Sequence, residues 1–546
     1  MKKLIALILV TCMLSFVLVA CDIDVEDLYG DQQSALPGGI QQSGSSDEGQ
    51  QSESPKDSQQ STATEVPVPT QKETSGAFGE VGNKWQGISF EDEELTILIR
   101  DDNKVKREWT VEEDGGGELA YQIELRNEVV ARDLGLNVNF VAVGSGSYSD
   151  WVNVSLPCIC QDIDVKLHEF DAVANYGFVS MVHVVRDYYA NLLDKDVFPY
   201  FDFKLHCWNQ DIVNNGTVNG QLYLAAGSMN LSMLDSAMMI WHNADLYDRI
   251  KLDTDPENIQ NLVLEGYWIY AELYKWAHYW DVDATNNCES GIYGVYIGGD
   301  PFPIQPNDAI PYAWDISFFT KNNDGTFSYN FIGNERAENA KTRLKNIHDA
   351  RGNGHYSDVA CTCGDHFVNG GTLFYADVLY WNKESNDMIR EMKDRYSVLP
   401  WPKYDEYQEY YMTTTMDYFN TVSVLNHSDS FVPTKGEAIS AYLQCSNEYS
   451  FENIIGHYFS EIVTPKYFGV DDNDGYLLRS LTICHLILGN IKYDFGTVHQ
   501  TVLQNVVSRV WRNNISTETT IEDVFKAHKE EFNDNLHDLY RWFGLE

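Results

Sequence analysis

Between Glu94 and Ala174 the apolar residues change from strand-like to helical spacing and back, which limits the fold more than any other stretch of the chain. Leu95-Thr96-Ile97-Leu98-Ile99 is a short β-rich run. From Glu118 to Leu134 the apolar residues Leu119, Ile123, Leu125, Val129, Val130 and Leu134 recur at helical spacing, and Gly135 stops them. Val138 to Val143 reads as a second strand. Phe170-Asp171-Ala172-Val173-Ala174 reads as a third, followed by the polar turn Asn175-Tyr176-Gly177. Strand, helix and strand in this order predict α/β units with parallel pairing.

Further along, Met238-Met239-Ile240-Trp241 is strand-like, and residues 258–280 read as an aromatic helix. Ala340 to Ala350 reads as another helix. Val398-Leu399-Pro400 is a strand closed by proline, and the last hundred or so residues read mostly as helices. No repeat of solenoid period stands out. At 546 residues the chain exceeds the roughly 100–200 of an average domain, so two or more lobes are expected.

The first residues carry a different signal. Lys2 and Lys3 precede the apolar run Leu4 to Val19, which ends in Leu18-Val19-Ala20-Cys21. A short apolar run behind two lysines reads as a secretion signal rather than a membrane span. Small Ala20 before Cys21 makes it a lipoprotein signal, because lipidation needs a thiol at that position. Residues 1–20 are then a leader, and Cys21 is the lipidated anchor at the extracellular face of a membrane of Gram-positive type. Residues 22–84 are rich in Gln, Ser, Gly, Glu, Asp, Pro and Thr. That composition cannot offset the entropy of ordering and predicts a disordered polar tether.

The formal net charge of −44 argues against nucleic acid, which is held mainly by Lys and Arg. Of ten cysteines, Cys12 leaves with the leader and Cys21 carries lipid. The others are Cys158, Cys160, Cys207, Cys288, Cys361, Cys363, Cys445 and Cys484. An exported location permits disulfides, but spacing does not fix their pairing, and some can be buried free thiols. Cys361, Cys363 and His366 hint at a metal site, yet one residue between the cysteines is too short for usual zinc spacing. A disulfide from Cys361 or Cys363, with Cys288 as one partner, is the favoured reading. Asp471-Asp472-Asn473-Asp474-Gly475 starts like a calcium loop, but the twelfth position is Leu481, so it reads as a turn. No metal and no cofactor are expected.

Several segments, in order, resemble the extracellular solute-binding lipoproteins of the family-1, carbohydrate-type class that serve ABC importers. After leader and tether come the strand Leu95–Ile99 and the helix with Glu124-Leu125-Arg126-Asn127-Glu128. Ile240-Trp241-His242-Asn243-Ala244-Asp245-Leu246 stands where the family has a strand ending in Asn-Lys-Asp-Leu, with Ala244 in place of Lys. Gly266-Tyr267-Trp268-Ile269 is similar to the family's Gly-Lys-Trp-Thr, departing at Tyr267 and Ile269. Val398-Leu399-Pro400-Trp401-Pro402-Lys403 is similar to its LP-x-PK segment. The correspondence covers most of residues 85–515, and no single piece is specific. The resemblance implies an α/β, two-lobed, periplasmic-binding-protein-like (type II) fold with hinge crossings. The crossings would fall near Trp241–Asn243, near Val398–Pro400 and after the helix around Ala438–Leu443. One lobe would then comprise residues 85–241 with about 396–445, and the other, mostly helical, 242–395 with about 446–546.

A sugar offers hydroxyls to carboxylates, amides and Arg, and a C–H face to flat aromatic rings. The chain has 13 Trp and 33 Tyr, most of which pack cores. Ligands of α/β sheets bind beyond the carboxyl ends of strands. On that ground the candidate contacts are Asp101 and Asp102 after the first strand, Tyr176 after the third, and Trp241 at the first crossing. Trp314 and Asp315 follow a Pro- and Gly-rich loop, and Trp381 with Asn382 resembles the family segment that sets a ring against the sugar. Each also has a plain reading as turn or core. No nucleophile elbow, phosphate loop or HExxH motif appears. The expected protein is a monomeric, non-catalytic receptor that hands a carbohydrate, with an oligosaccharide as the favoured kind, to ABC permease subunits. An anchored polysaccharide-degrading enzyme and a receptor for a non-sugar solute are the rivals.

Overall fold

A computed structural model describes residues 81–111, 117–144, 151–277, 280–281, 292–297, 306–350, 363–379, 392–427, 433–460, 475–512 and 517–546. Their strands are β1 (Glu93–Arg100), β2 (Leu136–Val143), β3 (Ala172–Tyr176), β4 (Met238–Asn243), β5 (Trp280–Asp281) and β6 (Ile292–Ile297). After these come β7 (Phe319–Lys321), β8 (Phe327–Tyr329), β9 (Thr372–Val378), β10 (Tyr396–Leu399) and β11 (Asn420–Val424). They form two principal sheets, of order β11-β3-β1-β2 and β10-β4-β9-β6-β5, and a β7-β8 hairpin. Helices surround them, so the fold class is α/β as expected.

The first sheet follows from the local pattern. β1 pairs in parallel with β2 over its whole length and with β3 at Ile97 and Leu98. The helix Glu118–Asp133 between β1 and β2 buries Leu119, Ile123, Val129 and Val130. Parallel strands need such a crossover connection. β11 arrives from far along the chain and lies antiparallel to β3.

The second sheet differs from expectation in one respect. Residues 238–241 and 396–399 were assigned with the first lobe, but β4 pairs with β9 and β10 and belongs to the second sheet. All six residues of β4 are buried. An apolar run buried on both faces looks the same whichever sheet receives it. The single helix read over 258–280 is two, Ile259–Leu264 and Tyr270–Ala277. Gly266, at φ +80°, breaks it in a conformation that other residues rarely adopt.

The segments that join the two sheets lie side by side. Met238 N–H donates to the Thr414 carbonyl (2.9 Å), Met416 N–H to Ser236 (2.8 Å) and Leu379 N–H to Ala237 (2.9 Å). The crossings thus sit at 236–238 and 413–416, not at Trp241–Asn243 and Val398–Pro400. A third crossing is expected after the helix around Ala438–Leu443; the helix Pro433–Tyr449 packs on β1 and the helix Tyr476–Leu488 packs on β10. Residues 461–474 between them lie outside the described ones. The C-terminal helices pack aromatic side chains against the hairpin region: Phe495 stacks on Phe327 at 3.7 Å between centroids, and Phe525 lies 5.1 Å from Phe331.

Candidate functional site

β1 ends in Arg100, and this residue organises the ends of the first sheet. Its side chain is 2% exposed. It donates to the Tyr418 carbonyl (2.7 Å) and Asn420 Oδ1 (3.2 Å). Its guanidinium lies over the rings of Tyr176 (4.1 Å) and Tyr418 (4.8 Å). A planar cation between two rings gains from the quadrupole of each and keeps its fork for carbonyls. Burial lowers its pKa, and Tyr176, Asp102, Glu108 and Asp417 oppose that fall.

Asp417 faces this arginine from the crossing segment. Its carboxylate accepts from Phe178 N–H (2.7 Å) and from Gln500 Nε2 (2.6 Å). Burial nevertheless pushes it up to about 8, against those hydrogen bonds and Arg100. Gly177 makes room for it: at φ +42°, a Cβ there would stand 1.8 Å from Asp417 Oδ1. Glu108 is a second buried carboxylate, accepting from Ser232 N–H (2.8 Å) and Asn420 Nδ2 (2.6 Å). Burial pushes it up to about 7, and Asp235 adds to the rise. Asp235 itself pairs with Arg107 and accepts from the Tyr458 hydroxyl (2.8 Å). Asp417 and Glu108 are enclosed and bonded to the protein, so their raised pKa values reflect a structural network between strand ends and crossings.

The structure separates the predicted contacts. Asp101 is exposed beside Lys106 (2.8 Å), and Asp102 is half-buried, both just beyond Arg100. Tyr176 reaches the same place but is buried under Arg100 and set edge-on to Tyr418 (5.8 Å). Asp102 and Tyr176 both lie close to Arg100, and of the three predicted contacts Asp101 is the exposed one. Trp241 and Trp314 do not join them. Trp241 is fully enclosed and its indole N–H donates to the Val378 carbonyl (3.2 Å). Trp314 is enclosed between Tyr270 and Tyr404, with its N–H on the Pro402 carbonyl (2.9 Å). A ring covered on both faces offers no platform, so both are core residues here, as a buried indole with a satisfied N–H usually is. Asp315 is an exposed turn residue at φ 52°. Trp381, Asn382 and Cys21 lie outside the described residues.

Sequence reasoning missed Arg100, Glu108 and Asp417. The one available signal was an arginine ending the apolar run Leu95–Ile99 without a polar residue between. Cys158, Cys160, Cys207, Cys445 and Cys484 form no disulfide among the described residues. Among the described residues no group of three or more His, Cys, Asp or Glu is arranged to hold a metal. No helix among them is long and apolar enough to cross a membrane.

No protein-family model matches the sequence, and no curated protein matches it. Among solved structures, several align with most of the chain at low identity. An ABC transporter solute-binding protein from Agrobacterium vitis S4, with bound D-mannitol, is 13% identical over 82% of this chain and 99% of that one (TM-score 0.40). The maltose-maltodextrin binding protein of Alicyclobacillus acidocaldarius is 14% identical over 82% of this chain and 100% of its own (TM-score 0.40). A family 1 extracellular solute-binding protein from Bifidobacterium longum subsp. infantis is 9% identical over 81% of this chain and 99% of its own (TM-score 0.46).

Proposed function

We propose that this protein is a lipid-anchored extracellular receptor that captures a carbohydrate between two lobes and passes it to an ABC permease without altering it. The observation that carries this reading is the out-and-back course of the chain. β1, β2, β3 and β11 make one sheet, β4, β5, β6, β9 and β10, all between Met238 and Leu399, make the other, and the connecting segments are bonded side by side at 236–238 and 413–416. Two bodies joined by a narrow band of adjacent strands are built for hinge closure around a ligand. A lobe boundary at this band, with the first lobe on β1, β2, β3 and β11, belongs to the proposal. The leader ending in Ala20-Cys21 and the polar tether of residues 22–84 supply the anchor. Asp101 and Asp102 would accept from sugar hydroxyls at the end of β1.

The mechanism needs contacts on both lobes, since a ligand touching one lobe equally in both states shifts nothing. The direct test is small-angle scattering and thermal unfolding of the protein against mono- and oligosaccharides. The right ligand should shrink the radius of gyration and raise the melting temperature saturably. Asp102→Ala should weaken that response by about 1–3 kcal/mol, as loss of a charged hydrogen-bond acceptor does. If a peptide shifts both measures and no carbohydrate does, the ligand class is wrong. Release of reducing ends from an oligosaccharide would instead mark an enzyme.

A further inference from the structure

A cavity of about 550 Å³ opens at the end of the second sheet remote from the crossings. β4 begins at the crossing, where Met238 meets Thr414, and runs outward to His242 and Asn243. At about 3.3 Å per residue, His242 stands roughly 13 Å along the strand from that point. The cavity therefore lies at the end of β4 away from the crossing.

Its floor holds hydrogen-bonding groups without charge. His242 is 1% exposed, its ring stacked 5.3 Å from Phe374 and edge-on to Tyr247 at 5.8 Å. Its Nδ1 faces Ser397 Oγ at 3.3 Å, and its Nε2 has no hydrogen-bond partner among the described residues. Burial holds this imidazole down to about 3, so it is neutral and one nitrogen donates while the other accepts. The Tyr476 hydroxyl is likewise buried with no hydrogen-bond partner among the described residues. A buried, unpartnered polar atom facing a polar cavity is costly unless something bonds to it.

The rim alternates in sign. Arg395 donates to Asp245 Oδ1 (2.7 Å) and Asp248 Oδ2 (2.8 Å), and lies over the Tyr476 ring at 5.7 Å. Lys251 donates to Asp248 Oδ1 (2.7 Å), and Arg479 Nε to Gln260 Oε1 (3.1 Å). Glu257, Asn258 and Asn261 complete the lining. An anion entering here meets Asp248 and Glu257, and a cation meets Lys251, Arg395 and Arg479. A hydroxyl group, which both donates and accepts, suits every one of these partners and the neutral floor. The volume falls within the roughly 300–1,000 Å³ of small-molecule sites.

We propose that this cavity is a second, peripheral binding site for a neutral sugar or polyol, carried on the outer end of the second sheet. It stands on the lining of the cavity, not on the receptor reading, and the two can fail separately.

The test is hydrogen–deuterium exchange of the full chain in detergent with D-mannitol, maltose or lactose, and with inorganic phosphate. At least one neutral compound should slow exchange in residues 242–262, 392–397 and 475–480, and phosphate should not. Asn261→Trp, at an exposed position on the rim, should abolish that protection. Arg479→Ala should raise the half-saturating concentration about tenfold or more, as loss of a charged donor does. Protection confined to residues 100–102 and 176 would overturn the second site and leave the receptor reading intact. Protection by phosphate alone, by none of the compounds, or unchanged in Asn261→Trp, would overturn it as well.

Discussion

Asp417→Asn isolates one buried carboxylate whose energetic effect has a definite sign. In the folded protein Asp417 holds its proton up to about 8, whereas the ordinary value is 3.8. Between those two values the native state binds more protons than the unfolded chain, so stability falls as pH rises. Below about 3.8 both states are protonated and Asp417 imposes no penalty; above about 8 the penalty is complete. At about 1.4 kcal/mol per pH unit, the rise corresponds to on the order of 5 kcal/mol, an upper bound once relaxation around the ionised group is allowed for. Asn is isosteric and never ionises. Its carbonyl can accept from Phe178 N–H, and its amide can donate to Gln500 once that side chain turns over its own amide. Urea unfolding of parent and variant near pH 5 and near pH 9 reads the difference directly. The stability advantage of the variant over the parent should grow by at least about 2 kcal/mol between pH 5 and pH 9. The subtraction cancels Glu108, which shifts in the same direction in both proteins, and the self-repulsion of a chain of net charge −44. Parallel curves for the two proteins would refute the placement of an enclosed, proton-holding Asp417.

His427 works in the opposite sense. Burial alone would lower its pKa, but Asp162, 3.2 Å away, and the Phe170 carbonyl at 2.8 Å outweigh burial and raise it above 6.5. Its stabilisation is complete below about pH 6.5 and fades as pH climbs through the raised value, so His427→Gln should cost more near pH 6 than near pH 9 in the same unfolding assay. Trp314→Ala should destabilise the ligand-free protein by about 3–5 kcal/mol, as emptying a buried indole site does; an unchanged melting temperature with weakened sugar binding would return Trp314 to the binding site. Cys21→Ser should move the protein from the membrane fraction to the medium and leave its melting temperature unaltered, and continued partition into detergent would contradict lipid anchoring.

The parts of this fold that were legible in the sequence are those set by local spacing. Leu119, Ile123, Val129 and Val130 lie on one helical face, and the strands on either side pair with each other, so nearest-neighbour pattern sufficed. The crossings were not legible in that way. Trp241 sits in an apolar run that is buried in either sheet, and only pairing with Tyr375 and Val398 decides which. Trp314 finds its acceptor at Pro402, a partner no local window contains. Arg100 looked like the surface end of a strand because Tyr418 and Asn420, which accept from it, lie more than three hundred residues away. A helix over 258–280 ignored Gly266, whose backbone conformation was the one local warning. Contacts of long sequence separation, made by polar atoms, are what periodicity leaves out.

The side-by-side bonding of the crossing segments has a mechanical consequence. A lone linker bends at any of its bonds and lets its two ends swing freely in every direction. Here Met238, Ala237 and Ser236 are each clamped by backbone hydrogen bonds to Thr414, Leu379 and Met416. Flexing one segment by itself would break bonds to its neighbours, so the segments deform together, as the leaves of a laminated spring do. Such a band resists sideways shear and stretching far more than it resists twist. On the proposed hinge reading, relative motion of the two sheets is expected as one rotation about the band, bringing the same faces together in the same register.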